Sequence, residues 1–164
     1  MQAIFSDCGR FRFLLWDVWD ANLPILAWLL FNPSRAGAIA ASGKPLTDPT
    51  WTKGAGFSRR LGYGGQVFAN LYAYVSTDPD GLRSAGYPVG PRNDEYIVRA
   101  CEMGGGQAVC AWGALGRGLV RPVEVLSMLR SNGIRTLALG TTADRLPMHP
   151  LRLSYATQLE AFDG

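Results

Sequence analysis

The sequence predicts an α/β fold in which helices cover both faces of a central, mainly parallel sheet of four strands. This is a three-layer sandwich that forms one domain over residues 1–164. Short apolar segments alternate with segments of helical pattern, which is typical of parallel strands joined by crossover helices. The apolar run PILAWLLF at 24–31 has no polar interruption, as a central strand buried on both faces requires.

This run is the first predicted strand of the sheet, and it ends at Asn32-Pro33. The other three are QVFANLYAY at 66–74, QAVCAWG at 107–113 and IRTLALG at 134–140. Ahead of them, RFRFLLWDVWD at 10–20 indicates a strand or one arm of a hairpin.

Three helices are predicted between the strands, and their ends carry the expected capping residues. Thr47 or Asp48 precedes Pro49, which suits a first helical turn, and glycines end each helix. Asp48 and Asp94 are expected to cap helices rather than to form a pair of catalytic acids. The helical segments are 47–65, 92–105 and 121–133, with one further helical turn within 76–91.

Composition limits the class of protein. Hydrophobic residues make up 48% of the chain, which is typical of a globular protein. The net charge of +3 is compatible with a polyanionic partner but does not require one. We expect a cytoplasmic protein, because no signal peptide or membrane span is recognisable. We also expect it to be a monomer. The three cysteines have no metal-binding spacing, and we expect buried thiols and no metal or organic cofactor. They are Cys8, Cys101 and Cys110.

Polar residues follow the predicted strands at their carboxyl ends, where open parallel sheets bind their ligands. We therefore expect one cleft to be surrounded by side chains that are distant in sequence. These residues are Asn32 and Ser34, Asn70, Trp112 with Gly113, and His149, which is the only histidine.

Four motifs in this order resemble those of the uracil-DNA glycosylase superfamily: LLFNPS at 29–34, VFANLYAY at 67–74, VCAWG at 109–113 and HPLRLS at 149–154. Nearly the whole chain resembles more closely a bacterial and phage family, domain-of-unknown-function family 1643. That likeness rests on FRFLLWDVWD, NPS, TDPT, LGYGG, NLYAYVSTDP, PVGPRND, AWG and HPL. The closer resemblance brings no activity with it, whereas the remoter one implies a glycosylase-like fold.

The glycosylase resemblance implies hydrolysis of an N-glycosidic bond to a base in DNA, with base flipping. As that bond breaks, positive charge develops on the sugar and negative charge on the departing base. Asn32 would place the attacking water and His149 would donate a hydrogen bond to the base. The structural alternatives are an Asx-turn ahead of Pro33 for Asn32 and a loop histidine bonded to backbone for His149.

The glycosylase hypothesis gives further residues an expected role. Asn70 would contact the edge of a pyrimidine, or else it satisfies loop backbone at the end of its strand. Trp51, Phe57 or Tyr72 would stack on the base, although each of them is also a candidate for the core. Four other residues are expected to hold phosphate or to contact DNA: Ser34, Gly113, Arg152 and Leu153. Leu153 would form part of an apolar wedge beside the flipped base.

Two other functions stay open at the level of sequence. One is a non-catalytic protein that binds a base or nucleic acid, because Leu30 and Leu151 stand where the glycosylases usually have glycine and serine. The other is a hydrolase of a small nucleotide or nucleoside. The expected partner is accordingly single-stranded or distorted duplex DNA, or a nucleotide.

Overall fold

The computed structural model describes residues 1–164, apart from the side chain of Pro79. Four α-helices and seven strands form an α/β fold. The strands are β1 (Gln2–Phe5), β2 (Arg12–Val18), β3 (Ile25–Leu30), β4 (Gly65–Asn70), β5 (Gln107–Cys110), β6 (Arg135–Ala138) and β7 (Glu160–Ala161). The helices are α1 (Pro49–Arg60), α2 (Pro79–Ser84), α3 (Asn93–Met103) and α4 (Arg121–Ser131).

The predicted α/β class is confirmed, but the sheet is mixed and has seven strands rather than four, in the order β1-β2-β4-β3-β5-β6-β7. The four predicted strands, β4, β3, β5 and β6, do pair in parallel. Antiparallel strands extend both edges: β2 pairs with β4 and β1 with β2, while β7 pairs with β6. β1 and β7 have four and two residues, too few to show a periodic pattern in sequence.

Strand β3 lies near the middle of the sheet and is buried on both faces, as its apolar run predicts. Alternate residues enter two separate cores. Ala27 and Leu29 pack in a cluster that contains α3 and α4 residues. Leu26, Trp28 and Leu30 pack in a second cluster with apolar residues of α1. Helices therefore cover both faces of the sheet.

The capping prediction for Asp48 is confirmed, and that for Asp94 is wrong. Asp48 is the N-cap of α1 and accepts a hydrogen bond from the backbone N–H of Trp51 at 2.7 Å. At α3 the N-cap position is Arg92, in the left-handed conformation, and Asp94 lies in the first turn. Its carboxylate instead pairs with the guanidinium of Arg121, a buried residue at the start of α4.

Two of the three cysteines are buried, and the third is not. Cys101 and Cys110 lie within the core on the α3 side of the sheet. Cys8 is exposed, so the expectation of burial is wrong for this thiol. It lies in the tight connection between β1 and β2, where the N–H of Gly9 donates to the carbonyl of Ser6 at 2.9 Å.

The register of the parallel strands brings the carboxyl ends of β3, β4 and β5 to one edge. Leu30 pairs with Asn70 across β3 and β4, and Leu29 pairs with Cys110 across β3 and β5. Because these strands end level with one another, the segments that follow them meet above the same edge. The register thus places Asn32 and Asn70 close to one another.

Candidate active site

A cavity of about 350 Å³ lies at this edge of the sheet, near the lower end of the volumes usual for ligand sites. It reaches the surface at Leu115, whose side chain is 46% exposed. Four of the predicted strand-end residues line it together: Asn32, Ser34, Asn70 and His149. The other lining residues are Arg12, Leu15, Leu30, Phe31, Asp48, Thr50, Phe68, Ser76, Thr77 and Leu115.

Two hydrogen bonds hold the side-chain amide of Asn32 in one orientation. Its Nδ2 donates to the carbonyl of Ser76 at 2.9 Å and to that of Pro33 at 3.3 Å. Only the NH₂ group can donate to two carbonyls, so the hydrogen bonds identify which end of the amide is nitrogen. The Oδ1 atom is left as an acceptor, in a residue that lines the cavity. An acceptor of this kind can orient a water molecule.

His149 is half-buried at the start of a short 3-10 helix, Pro150–Arg152. Its Nδ1 accepts a hydrogen bond from the backbone N–H of Leu151 at 3.3 Å. In the neutral imidazole the proton must then be on Nε2, which makes that atom a donor. Burial lowers the pKa of His149, while the negative charge of Asp48 opposes that shift. Near neutral pH the site therefore favours a neutral imidazole whose available donor is Nε2.

This protonation state can be tested by NMR, because His149 gives the only histidine signal. We expect its pKa in the folded protein below the usual 6.5, with ¹⁵N shifts of the Nε2–H tautomer. Asp48→Asn should lower that pKa further, since it removes the negative charge that favours the protonated ring. Glu102→Gln, on the exposed face of α3, should leave it unchanged. A His149 pKa above 6.5 would contradict this account of the site.

The same shift makes a prediction about stability. Because the folded pKa is the lower one, the unfolded chain binds more protons than the folded chain when the pH falls below about 6.5. The stability contributed by neutral His149 is therefore complete above that pH and is lost as the pH falls through 6.5 towards the folded pKa.

Asn70 and Arg12 form the buried end of the cavity. Both residues are almost fully buried, at 1% and 2% exposure. A terminal nitrogen of Arg12 donates to Oδ1 of Asn70 at 3.3 Å, and the other donates to the carbonyl of Ala36 at 3.0 Å. Nδ2 of Asn70 and Nε of Arg12 have no hydrogen-bond partner. Two buried nitrogen donors beside the cavity are therefore unsatisfied within the protein.

Burial also disfavours the charge of Arg12. It lowers the pKa of the guanidinium to about 10, and the negative charge of Asp48 opposes that shift. Arg12 is still protonated at neutral pH. A shift of this size corresponds to roughly 3 kcal/mol against the charged form in the folded chain.

Ser34 and Asp48 form one wall of the cavity. The hydroxyl of Ser34 donates to Oδ2 of Asp48 and also accepts from the N–H of Ala36 at 3.1 Å. Oδ1 of Asp48 caps α1, so the carboxylate is fixed by two hydrogen bonds. A negative charge thus has a set position in the same cavity as Arg12, Asn32 and His149.

Comparison with known proteins places the chain in a family. Residues 12–151 match DUF1643, which is described as a protein of unknown function. The chain belongs to this family. No curated protein and no solved structure matches the chain significantly.

In this DUF1643 protein the aromatic residues of the cavity are not the ones that the sequence suggests. Phe57 is fully buried in the core on the α1 side, and Trp51 packs edge-on against Phe68 with ring centroids 5.0 Å apart. Tyr72 belongs to the core of the opposite face. The rings that line the cavity are Phe31 and Phe68.

The aromatic-glycine pair lies beside the cavity and supports it. Trp112 is 1% exposed and belongs to the core, so it does not line the cavity as expected. Gly113 has φ +65° and touches His149: a Cβ at this position would lie 3.1 Å from the Cβ of His149. The N–H of Gly113 donates to the carbonyl of Pro147 at 3.0 Å. This contact holds the histidine segment against the end of β5.

The segment after His149 presents an arginine and a leucine at the surface. Arg152 is exposed, whereas Leu153 is half-buried against the core of the α1 face. Leu151 is 42% exposed. Of the two leucines, Leu151 is therefore the one whose side chain extends more into solvent.

Sequence reasoning did not identify two of the cavity's contributors, Arg12 and Phe68. Arg12 comes from β2, a strand outside the parallel set, and Phe68 is an ordinary apolar residue of β4. A signal did exist for Arg12, because a charged residue that begins the apolar segment RFLLW is unusual for a buried strand.

No helix in the described chain is long and apolar enough to cross a membrane. Among the same residues, no group of three or more His, Cys, Asp or Glu side chains is arranged to hold a metal ion.

Proposed function

We propose that this protein is a uracil-DNA-glycosylase-like hydrolase that cleaves the N-glycosidic bond of a base, expected to be a modified one, in DNA. The observation that carries the proposal is the pairing of Asn32 and His149 on one cavity. Oδ1 of Asn32 is free to accept from water, and Nε2 of His149 is fixed as a donor. The four parallel strands with helices on both faces agree with the fold that the resemblance implies.

The proposed reaction needs no group beyond these side chains and water. The C1′–N bond breaks, and its electron pair leaves on the base. Nε2–H of His149 donates a hydrogen bond to the base as that charge grows. A water molecule held by Asn32 adds to C1′, and its proton finally resides on the base or in solvent. An amide oxygen is a weak base, so the reaction depends on a good leaving group.

The base would lie between Phe68 and the polar wall. Asn70 is oriented by Arg12, and its buried Nδ2–H has no acceptor within the protein, so it is the group we propose to contact an acceptor on the base. Its Oδ1 keeps one lone pair for a ligand donor. We propose Phe68 as the stacking surface in place of Phe57 and Trp51, because it lines the cavity and they do not.

The decisive experiment incubates the protein with single-stranded and mismatched duplex DNAs that carry normal or modified pyrimidines. Alkaline cleavage then reveals abasic sites. We expect one or more modified bases to be released, and an Asn32→Ala protein purified identically should release far less, which excludes a contaminating enzyme. Binding without release of any base would contradict hydrolysis and favour a non-catalytic reader of bases. Release from free nucleosides alone would favour a nucleoside hydrolase.

DNA binding has its own expected result. Affinity for single-stranded or distorted DNA should be weak and should fall as salt rises, because a few cationic contacts release only a few counterions. Arg152→Ala should weaken binding to all sequences and reduce the salt slope by about 1. Arg99→Ala, an exposed arginine on α3, is the matched control. Fluorescence anisotropy at several salt concentrations measures the affinity and its salt dependence for each variant. An unchanged slope in Arg152→Ala would remove this residue from the interface.

A further inference from the structure

The buried end of the cavity contains a cation that no carboxylate neutralises directly. Among the described residues, no Asp or Glu oxygen lies within salt-bridge distance of the Arg12 guanidinium. Its hydrogen bonds go to two neutral oxygens, those of Ala36 and Asn70, and its Nε has no partner. Arg12 is nevertheless 2% exposed.

Such an arrangement is unfavourable for folding alone. A buried charge is normally paired, because an unpaired one loses its hydration without compensation. Arg12 differs from an ordinary core residue in one respect: it lines a cavity that reaches the surface. A ligand that enters this cavity can therefore supply the missing negative charge.

We propose that Arg12 and Asn70 form an anion subsite, and that its ligand is a negatively charged heterocycle such as a carboxylated pyrimidine. The choice of a heterocycle rests on the proposed function; the need for an anion rests on Arg12 alone. Both residues line the cavity, and each has a buried nitrogen donor that no protein acceptor satisfies, so the subsite suits a group that accepts hydrogen bonds. Phe68 lines the same cavity and offers a surface for a flat ring.

The charge balance of the cavity favours a monoanion over a phosphate. Asp48 also lines the cavity, and its carboxylate is fixed by Ser34 and the N-terminus of α1. One positive and one negative side chain face the ligand. Because these two charges cancel, a bound carboxylate leaves the cavity with a net charge of about −1, whereas a phosphate leaves up to about −2, and uncompensated charge is costly in a buried site.

The test measures binding of free ligands by calorimetry at pH 7.5, without DNA. The probes are 5-carboxyuracil and orotate, which carry their carboxylate at different ring positions, with uracil and inorganic phosphate for comparison. One of the carboxylated probes should bind wild-type protein at least about tenfold more tightly than uracil, as a hydrogen bond to a charged group implies. It should also raise the thermal unfolding midpoint.

Three variants separate the role of Arg12 from a general effect of charge. Arg12→Met should abolish the preference over uracil, and Arg12→Lys should keep part of it. Asn70→Asp neutralises Arg12 from within the fold and should abolish the preference even if Arg12→Met fails to fold. Arg60→Met removes an exposed arginine of α1 and should change nothing.

Equal affinity for uracil and both carboxylated probes would overturn the anion subsite. Displacement of a bound carboxylated probe by equimolar phosphate would instead place a phosphate at Arg12 and overturn the heterocycle. Neither result depends on base release, so a failure here is distinguishable from a failure of the proposed hydrolysis.

Discussion

Replacing His149 by alanine should lower the single-turnover rate of base release by about 100-fold or more, while substrate affinity changes little. The reason is that the hydrogen bond from Nε2 strengthens as negative charge develops on the departing base. A contact that is strongest in the transition state affects the rate more than it affects binding. Asn32→Ala should act similarly, through loss of the acceptor that orients water.

The measurement is a single-turnover time course with enzyme in excess, on the best substrate found among the modified DNAs. Thermal unfolding of each variant verifies that it is folded, because His149→Ala also removes the acceptor for the N–H of Leu151. Leu151→Ala is the control for that loop, since it leaves the imidazole in place. A His149→Ala protein that releases base at the wild-type rate would show that the histidine serves only its own loop.

The largest expected loss of stability comes from Trp28→Ala, which should reduce the free energy of unfolding by about 3–5 kcal/mol. Trp28 is 1% exposed in β3 and packs between Phe57 and Phe68, with ring centroids 6.2 Å away in each case. Its Nε1–H donates to the hydroxyl of Ser58 at 3.2 Å. Truncation leaves a cavity and removes the partner of a buried hydroxyl.

Urea denaturation measures this loss, and Val120→Ala provides the control. Val120 is 70% exposed just before α4, so its truncation should change the unfolding free energy by less than about 0.5 kcal/mol. A loss below about 1 kcal/mol for Trp28→Ala would mean that the core between the sheet and α1 is not closely packed. Because Phe68 contacts Trp28 and lines the cavity, ligand binding should weaken in the same variant.

The sequence alone was sufficient to predict the four parallel strands of the sheet. The uninterrupted run of β3 predicts a strand buried on both faces, and its alternate residues do enter two cores. Asp48 followed by Pro49 predicts the start of α1 at the residue where it begins. These features are local: they depend on side-chain pattern and backbone preference over a few residues.

The edge strands β1 and β7 could not be predicted from local sequence pattern. They have four and two residues, too few to show a pattern in sequence. The pairing of β7 also depends on a distant strand, β6, where Ala138 pairs with Glu160. The contacts at the start of α3 were also beyond prediction from the sequence. Asn93, next to Asp94, looks like an ordinary helix residue, yet its side chain is buried and donates to the carbonyls of Asn70 and Leu71. Nothing near it in sequence indicates those partners.

For the candidate site, the sequence by itself determined which strand ends carry polar residues, and hence that Asn32, Asn70 and His149 belong near one edge. Tertiary structure decided how they are presented. The carbonyl of Ser76 selects the orientation of Asn32, the N–H of Leu151 selects the tautomer of His149, and Arg12 reaches Asn70 from an antiparallel strand. Hydrogen-bond direction and burial depend on contacts between distant segments, and only the folded chain brings those segments together.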